Sequence, residues 1–398
     1  MQSTPTQDFE EQPVTYHAED TTICYNVLLA GESQAFVGVG SIGKSNFARH
    51  LIREDVKATY IRNAPPHQNL FVLLDPHQLI HLEVNALEMC GSNWTGYELM
   101  LHRLNQSLIE LDDYLEAKNL ELENRRALDQ TQPIKQAREQ LAPLITSTEN
   151  KWAHMYQPLN PLSLQSSVRR VEEAIQMVMD SDSKLRLIFV FDELEEFFRV
   201  LPATFFQSLR GIRDNYKRRL LFITLSRSSP FEMLEQVTDK EQNNALEGFV
   251  ELLTDFTHYF RPLDQASLVY LMQKFEKRYG YRYEPYQHEL LFSITGLHTG
   301  LIRRSYLPAL EVLSKNPAIS VDAFASAVVP YEKVRKECAS IDNSLSEREQ
   351  VALREIAHGR RSTDTITTNL LVRKHLLASN LTTIRIPLLA AYIRLVKS

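Results

Sequence analysis

The stretch FVGVGSIGKSNFARHL, residues 36–51, decides how this chain folds. Residues 38–45 within it read GVGSIGKS and fit the pattern G-x-x-x-x-G-K-[ST]. An apolar run, AFVGV, leads into the pattern, and an amphipathic run, SNFARHLI, comes after it. Glycines at these positions let backbone N–H groups turn inward around a phosphate, and the N-terminus of the next helix adds its positive end. The stretch therefore predicts a strand, a phosphate-binding loop and a helix, in that order.

We expect this loop and the first turn of its helix to hold the phosphates of a nucleotide. Lys44 should reach the β- and γ-phosphates and take part in catalysis, and the Ser45 hydroxyl should bind Mg²⁺. The alternative is a structural glycine turn that binds nothing. The predicted nucleotide contacts are Gly38, Val39, Gly40, Ser41, Ile42, Gly43, Lys44, Ser45 and Asn46.

Two adjacent carboxylates end a second apolar run, LIFVFDE. A carboxylate at the tip of a buried strand can hold Mg²⁺, which we expect of Asp192. A second carboxylate beside it can polarise an attacking water, which we expect of Glu193. This pair favours hydrolysis of a nucleoside triphosphate over transfer of its phosphate. The alternative is a strand end followed by a helix cap.

Other strand ends carry polar residues. Arg227 comes after the run LLFITLS and could stabilise negative charge in the transition state, or be an ordinary surface arginine. Asp75 also ends an apolar run, and we interpret it as a cap. Glu195 and Glu196 are interpreted as solvated helix residues.

Five β-rich runs alternate with helical stretches, at residues 35–39, 70–75, 185–192, 220–226 and 256–260. The central runs are apolar almost throughout, as in strands covered on both faces of a parallel sheet. Helices between such strands imply βαβ units. The sequence thus predicts an α/β fold with a parallel-sheet core.

A long helical excursion, residues 96–182, separates the second and third runs. Leucines from Leu101 to Leu122 recur at helical spacing and form one apolar stripe, while Pro133 and Pro143 should interrupt the helical stretch after it. One interpretation is a helical hairpin packed on the core. The other is a surface for a protein partner or for self-assembly, because leucines at this spacing also suit helix pairing.

Strands stop after about residue 262, and residues 264–330 are predicted to form a helical bundle. The run SLSEREQVALREIA opens a further domain, with Ser344 or Ser346 as its helix cap. A second helix and a strand-like LTTIRIP come next, an order that suggests a winged helix-turn-helix. Residues 356–398 carry seven basic residues and one acidic residue, which suggests contacts with duplex DNA. The alternative is that this domain packs on the nucleotide-binding domain and touches no DNA.

The composition of the chain excludes several other classes of protein. The chain has 398 residues, a net charge of −6 and 43% hydrophobic residues, which fits two to three soluble domains and no global attraction to nucleic acid. No apolar run is long enough to span a membrane, and the polar start does not resemble a secretory signal. Three scattered cysteines, Cys24, Cys90 and Cys338, argue against a disulfide framework and fit a reducing cytoplasm.

The order of loop, acidic pair, ITLSR, helical lid and winged helix resembles the STAND and Orc/Cdc6-like branches of the AAA+ ATPases. The resemblance implies ATP and Mg²⁺ as ligands, the two Walker motifs at Lys44, Ser45, Asp192 and Glu193, and a sensor-1 arginine at Arg227. The turn GLHTGLIRR lies where a sensor-2 residue is expected, which implies Arg303 or Arg304; Thr299 stands where STAND proteins often carry proline. Residues 228–255 contain no arginine, which argues against a ring with arginine fingers at that position. Arg210 and Arg213 could serve instead, but a solvated helix face is the favoured interpretation of both.

These expectations divide the chain into an N-terminal segment (1–30), an ATPase core (31–262), a helical lid (263–335) and a winged helix (340–398). The leading hypothesis is an ATP-hydrolysing switch that couples nucleotide state to partner binding or self-assembly. The alternative is a DNA-binding AAA+ ATPase, similar to an initiator or a transposition regulator, that assembles on DNA with ATP. A small-molecule kinase is disfavoured by the lid and the winged helix.

Overall fold

A computed structural model describes residues 11–62, 65–80, 93–156 and 166–396. Its contacts divide the chain into two compact units. We call Thr22–Gly38 with Leu51–Phe260 the sheet unit, and the described residues of Met1–Thr21, Val39–His50 and Arg261–Ser398 the helical unit. Within the described ranges, no helix has both the length and the apolar character to cross a membrane.

The strands are β1 (Gln34–Val37), β2 (Asn69–Leu74), β3 (Arg186–Phe191), β4 (Leu220–Ser226) and β5 (Thr257–Tyr259). The helices up to β5 are α1 (Ala18–Ala30), α2 (Lys44–Leu51), α3 (Glu54–Tyr60), α4 (Asn93–Asn124), α5 (Leu128–Met155), α6 (Ser167–Ser181), α7 (Leu194–Val200), α8 (Ala203–Tyr216), α9 (Pro230–Glu235) and α10 (Lys240–Thr254). The later helices are α11 (Gln265–Tyr279), α12 (Pro285–Thr295), α13 (Thr299–Lys315), α14 (Val321–Val328), α15 (Glu332–Asn343), α16 (Glu347–Ala357), α17 (Thr365–Arg373) and α18 (Pro387–Val396).

All five strands lie in one sheet of the sheet unit, in the order β2-β3-β4-β1-β5, and every pair is parallel. Every residue of β1 and β4 is buried, which explains why these runs are apolar without alternation. Strand β5 is an edge strand, and its residues are only partly buried. The predicted α/β fold with a parallel-sheet core is confirmed.

The chain connections change direction at one place in the sheet, between β1 and β4. β1 is followed in the chain by β2 at one edge, whereas β4 is followed by β5 at the other edge. The neighbouring strands β1 and β4 thus continue in opposite directions, which is the topological switch point where open α/β sheets bind ligands. Gly38, the first residue of the glycine pattern, lies here, and its N–H donates to the Ser226 carbonyl at 3.0 Å.

The helical excursion forms a long hairpin of α4 and α5 within the sheet unit. Five leucines of the predicted stripe, Leu101, Leu104, Leu108, Leu111 and Leu115, are buried in the hydrophobic core of this unit. Leu122, further along α4, is only half-buried. The expectation that Pro133 and Pro143 interrupt the helix is wrong, because both lie inside α5. Leu141 and Leu144, on either side of Pro143, are buried in the hydrophobic core of the sheet unit.

Helices dominate the C-terminal part of the helical unit. Ser346 caps α16, and Glu349 completes a capping box, so the structure selects one of the two caps that the sequence allowed. Ser344 instead ends the preceding helix, α15. The strand-like run near Ile384 forms only a single antiparallel bridge, with Leu377, and α18 begins at Pro387.

Candidate functional site

The glycine loop has a fixed conformation that leads directly into α2. Gly43 has φ +118°, a conformation that an L side chain rarely adopts, and α2 begins at the next residue, Lys44. The Lys44 ammonium donates to the carbonyl of Val39 at 3.1 Å and is largely buried. No acidic residue occupies the first turn of α2, so the positive end of its dipole is not compensated within the helix. These features suit an anion at the loop.

The carbonyl groups of this loop are held by the start of α13, within the helical unit. The His298 imidazole donates from Nε2 to the Gly40 carbonyl at 3.0 Å. The Thr299 hydroxyl donates to the Ile42 carbonyl at 2.7 Å, and the Gly300 N–H donates to the Ser41 carbonyl at 3.1 Å. Three consecutive residues of one helix start thus bind three consecutive carbonyls of the loop.

His298 is a neutral hydrogen-bond donor in this arrangement. Its Nδ1 accepts the Leu301 N–H, so the proton must be on Nε2, which faces the Gly40 carbonyl. Burial lowers the pKa of His298 to about 4, and the nearby Lys44 charge acts in the same direction. The ring therefore keeps one tautomer at neutral pH.

The predicted sensor-2 candidates are found on the same helix, α13. Arg303 is exposed. Arg304 forms an ion pair with the buried Glu337, with 3.5 Å between Nε and Oε2. The loop contacts of α13 come instead from His298, Thr299 and Gly300. The run GLHTGLIRR indicated from the sequence that this turn lies near the site. The contacts of His298, Thr299 and Gly300 were not predictable, because a polar residue at a helix start does not show which distant carbonyl it binds.

The acidic pair lies at the carboxyl end of β3, in the sheet unit. Asp192 is largely buried, and its N–H donates to the Leu74 carbonyl at 3.0 Å. Glu193 has φ 51°, a left-handed conformation that is unfavourable for a residue other than glycine. It occupies the N-cap position of α7, yet its side chain makes no capping hydrogen bond. A simple helix cap therefore does not account for Glu193, and strained residues of this kind cluster at functional sites.

Side chains from three strand ends meet around the Glu193 carboxylate. Arg227, after β4, approaches it at 3.9 Å, and His77, after β2, approaches it at 3.5 Å. Arg227 also pairs with Glu195 at 3.3 Å, so the interpretation of Glu195 as merely solvated is wrong. Sequence reasoning missed His77; its place just after an apolar run at the same sheet edge was the signal available.

Several other predicted residues have local structural partners. Asp75 accepts the His77 N–H at 2.9 Å and acts as the expected cap. Arg210 pairs with Asp214 at 3.2 Å and also donates to the Gly248 carbonyl. Arg213 lies 3.7 Å from the same aspartate. Both arginines therefore have intramolecular contacts in the sheet unit.

The basic C-terminal region is less uniformly exposed than its sequence suggests. Lys374 is buried and forms an ion pair with the buried Glu349 at 2.7 Å. Lys374 is therefore not a surface charge, and fewer than the seven basic residues of 356–398 can contact DNA. Lys397 lies outside the described residues. The exposed basic residues are Arg360, Arg361, Arg373, Arg385 and Arg394.

Comparison with known proteins gives only distant likenesses. No protein-family model matches the chain, and no curated protein matches it. A Walker-type ATPase of Pyrococcus abyssi has a TM-score of 0.46 and 13% identity over 95% of both chains. Cdc6p of Pyrobaculum aerophilum has a TM-score of 0.38 and 10% identity over 98% of this chain and 82% of that one. The Aeropyrum pernix ORC1 protein, solved in complex with DNA, has a TM-score of 0.37 and 11% identity over 98% of this chain and 95% of that one. These similarities are too distant to assign a family or a function.

Proposed function

We propose that this protein binds ATP with Mg²⁺ and hydrolyses it. One observation carries the proposal: the glycine loop starts at the switch point of a parallel sheet, where Gly38 is bonded to the end of β4. A loop of this composition at that place is the arrangement that binds phosphates in α/β sheets. Adenine is preferred over guanine because of the AAA+ resemblance and because the core lacks an N/T-K-x-D sequence.

Each predicted residue has a role in this reaction. Residues 38–46 would hold the phosphates, with Lys44 at the β- and γ-phosphates and Arg303 as the candidate sensor-2 contact. The hydroxyl of Ser45 and the carboxylate of Asp192 are hard oxygen donors, which suit Mg²⁺. When bound, Mg²⁺ would neutralise charge on the phosphate oxygens.

Glu193 is the proposed base of the hydrolytic step. Its carboxylate would orient a water molecule and accept its proton as the water oxygen bonds to the γ-phosphorus and the bond to ADP breaks. Arg227, which approaches the same carboxylate, could turn toward the developing charge on the phosphate. The products are ADP and inorganic phosphate.

The output of the cycle is proposed to be a change in partner binding or self-assembly. The hydrogen bonds of His298, Thr299 and Gly300 support this, because a rearrangement of the loop would act directly on α13. The α4–α5 hairpin, most of which belongs to the predicted excursion at 96–182, remains the candidate surface for a protein partner. A reducing cytoplasm remains the predicted compartment.

Two substitutions test the site. Lys44→Ala should abolish ATP binding, measured by calorimetry, whereas Lys240→Ala, an exposed lysine of α10, should leave it unchanged. Glu193→Gln should retain binding and lower the hydrolysis rate by about 10²-fold or more. Glu196→Gln is the matched control on α7, because Glu196 pairs with Arg199 of the same helix. Normal ATP affinity in Lys44→Ala would refute the phosphate site, and normal turnover in Glu193→Gln would refute the assigned base.

A second candidate function is binding of duplex DNA through residues 356–398. It is supported by the five exposed arginines of this region and by the exposed face of α17, which presents Ile366, Asn369 and Arg373. A helix that comes after α16 and a short turn suits entry into a groove, as in winged helices. The salt dependence of duplex binding tests this function.

A further inference from the structure

The phosphate loop already has a hydrogen-bond acceptor at one of its backbone amides. The Gly40 N–H donates to the Ser344 hydroxyl oxygen at 3.1 Å, and the bond is buried. The Ser344 hydroxyl in turn donates to the Ile341 carbonyl at 2.6 Å. Its own proton is thus directed away from the loop, and an oxygen lone pair faces Gly40. The Ser344 oxygen thus accepts a hydrogen bond from the Gly40 N–H, as a phosphate oxygen would.

The end of α15 brings this hydroxyl to the loop. A Cβ atom added to Gly40 would lie 3.0 Å from the Ser340 carbonyl oxygen, so the last turn of α15 packs directly against this glycine. The C-terminal end of a helix carries partial negative charge, and α15 has no basic residue in its last turn to compensate it. A phosphate at Gly40 would therefore meet a competing acceptor and an unfavourable dipole.

We propose that Ser344, at the end of α15, competes with nucleotide phosphate for the Gly40 amide, so that nucleotide binding requires α15 to release the loop. The inference rests on the proposed nucleotide site and adds its regulation. The reason is simple exclusion: one N–H at this position has one acceptor, either the hydroxyl or a phosphate oxygen. Release of Ser344 would free the segment that joins α15 to the basic C-terminal helices.

Substitutions at Ser344 should shift nucleotide affinity in opposite directions. Ser344→Ala removes the competing acceptor and should tighten binding of MgATP about three- to tenfold, the effect of one lost hydrogen bond. Ser344→Asp supplies a stronger, charged acceptor and should weaken binding. Ser344→Thr keeps a hydroxyl and should stay close to wild type. Ser379→Ala, an exposed serine of the same C-terminal region, is the matched control and should have no effect.

The measurement is the dissociation constant of MgATP, and separately of ADP, for the full chain by calorimetry. A gain in affinity for Ser344→Ala cannot come from misfolding, because a misfolded variant would lose affinity. Hydrogen exchange of residues 341–346 should also accelerate when MgATP is added to the wild-type protein. Unchanged exchange there, while nucleotide binds, would overturn the proposed release.

The outcomes separate this inference from the proposed function. If wild type binds nucleotide, and the Ala and Asp variants bind equally well, competition is refuted and the nucleotide site stands. If neither wild type nor Ser344→Ala binds nucleotide, the proposed site is refuted and the competition with it. Binding by Ser344→Ala alone, or opposed shifts of affinity in the Ala and Asp variants, would support the competition.

Discussion

At the scale of single residues, the protonation of His298 affects the glycine loop. Its neutral ring donates to the Gly40 carbonyl from a fully buried position, and burial lowers its pKa to about 4 from an ordinary value of 6.5. In the unfolded chain the ring takes up a proton below about pH 6.5, whereas in the folded protein it does so only below about pH 4. Its contribution to stability is therefore present above pH 6.5 and is lost as the pH falls toward 4.

We expect His298→Asn to remove this part of the acid sensitivity. Asparagine is a favoured N-cap, so it can replace His298 as the cap of α13 without a titrating group. Between pH 7 and pH 5, wild type should lose about 1–2 kcal/mol more unfolding free energy than the variant. Urea denaturation at both pH values measures the difference, and parallel losses in the two proteins would contradict it.

His77 is expected to position Glu193 rather than to bind nucleotide. It approaches the Glu193 carboxylate at 3.5 Å, and its side chain is otherwise well exposed. His77→Ala should lower the ATP hydrolysis rate about two- to tenfold while leaving the dissociation constant of ATP unchanged, because exposed contacts of this kind are weak. His358→Ala, an exposed histidine bonded within its own helix turn, is the control. A changed ATP affinity in His77→Ala would argue for direct contact with the nucleotide.

At the scale of secondary-structure elements, a buried ion pair joins α16 to the end of α17. Lys374 and Glu349 lie 2.7 Å apart, with side chains that are 0% and 2% exposed. Lys374→Met should destabilise the protein by about 3–5 kcal/mol, because it leaves the Glu349 charge buried and unpaired. Lys336→Met removes an equally close pair with Glu332, whose partners are 73% and 68% exposed, and should leave the free energy of unfolding nearly unchanged. Urea titration compares the two, and similar costs would contradict the structural role of the buried pair.

Strands were predictable from the sequence because their signal is local. A buried parallel strand such as β4 needs apolar residues on both faces, and LLFITLS shows this directly. The helix boundaries around Pro133 and Pro143 were not predictable, because proline lowers helix propensity locally while packing along the hairpin decides the outcome. The burial of Lys374 was likewise hidden, since its partner Glu349 belongs to another helix.

At the scale of the whole molecule, the candidate site combines local and distant information. Gly38–Ser45, Asp192, Glu193 and Arg227 could be proposed from the sequence because each comes after a recognisable strand. The partners of Gly40 could not, since His298 lies 258 residues away in sequence and Ser344 lies 304 residues away. Contacts at such separations depend on how helices pack, which periodicity in one segment does not encode.

Charge distribution over the whole chain leads to a prediction for DNA. The net charge of −6 opposes general attraction to nucleic acid, so any binding of DNA must be local, and the proposed contacts are Arg360, Arg361, Arg373, Arg385 and Arg394. If all five contact phosphates, the logarithm of the association constant should fall with the logarithm of salt concentration with a slope of up to about −4.5. Fluorescence anisotropy with a labelled duplex measures this slope. The salt concentration is varied from about 50 to about 200 mM, a range that includes physiological ionic strength.

An adjacent pair of arginines on each unit supplies a matched comparison. Arg360→Ala with Arg361→Ala removes two of the proposed phosphate contacts and should make the slope shallower by about two. Arg125→Ala with Arg126→Ala removes the same charge from the exposed tip of the α4–α5 hairpin and should leave the slope unchanged. Because both double variants change the net charge equally, a general electrostatic effect would move them together. Equal changes in slope would therefore refute a local DNA site at residues 356–398, whereas a change confined to the first pair would place phosphate contacts there.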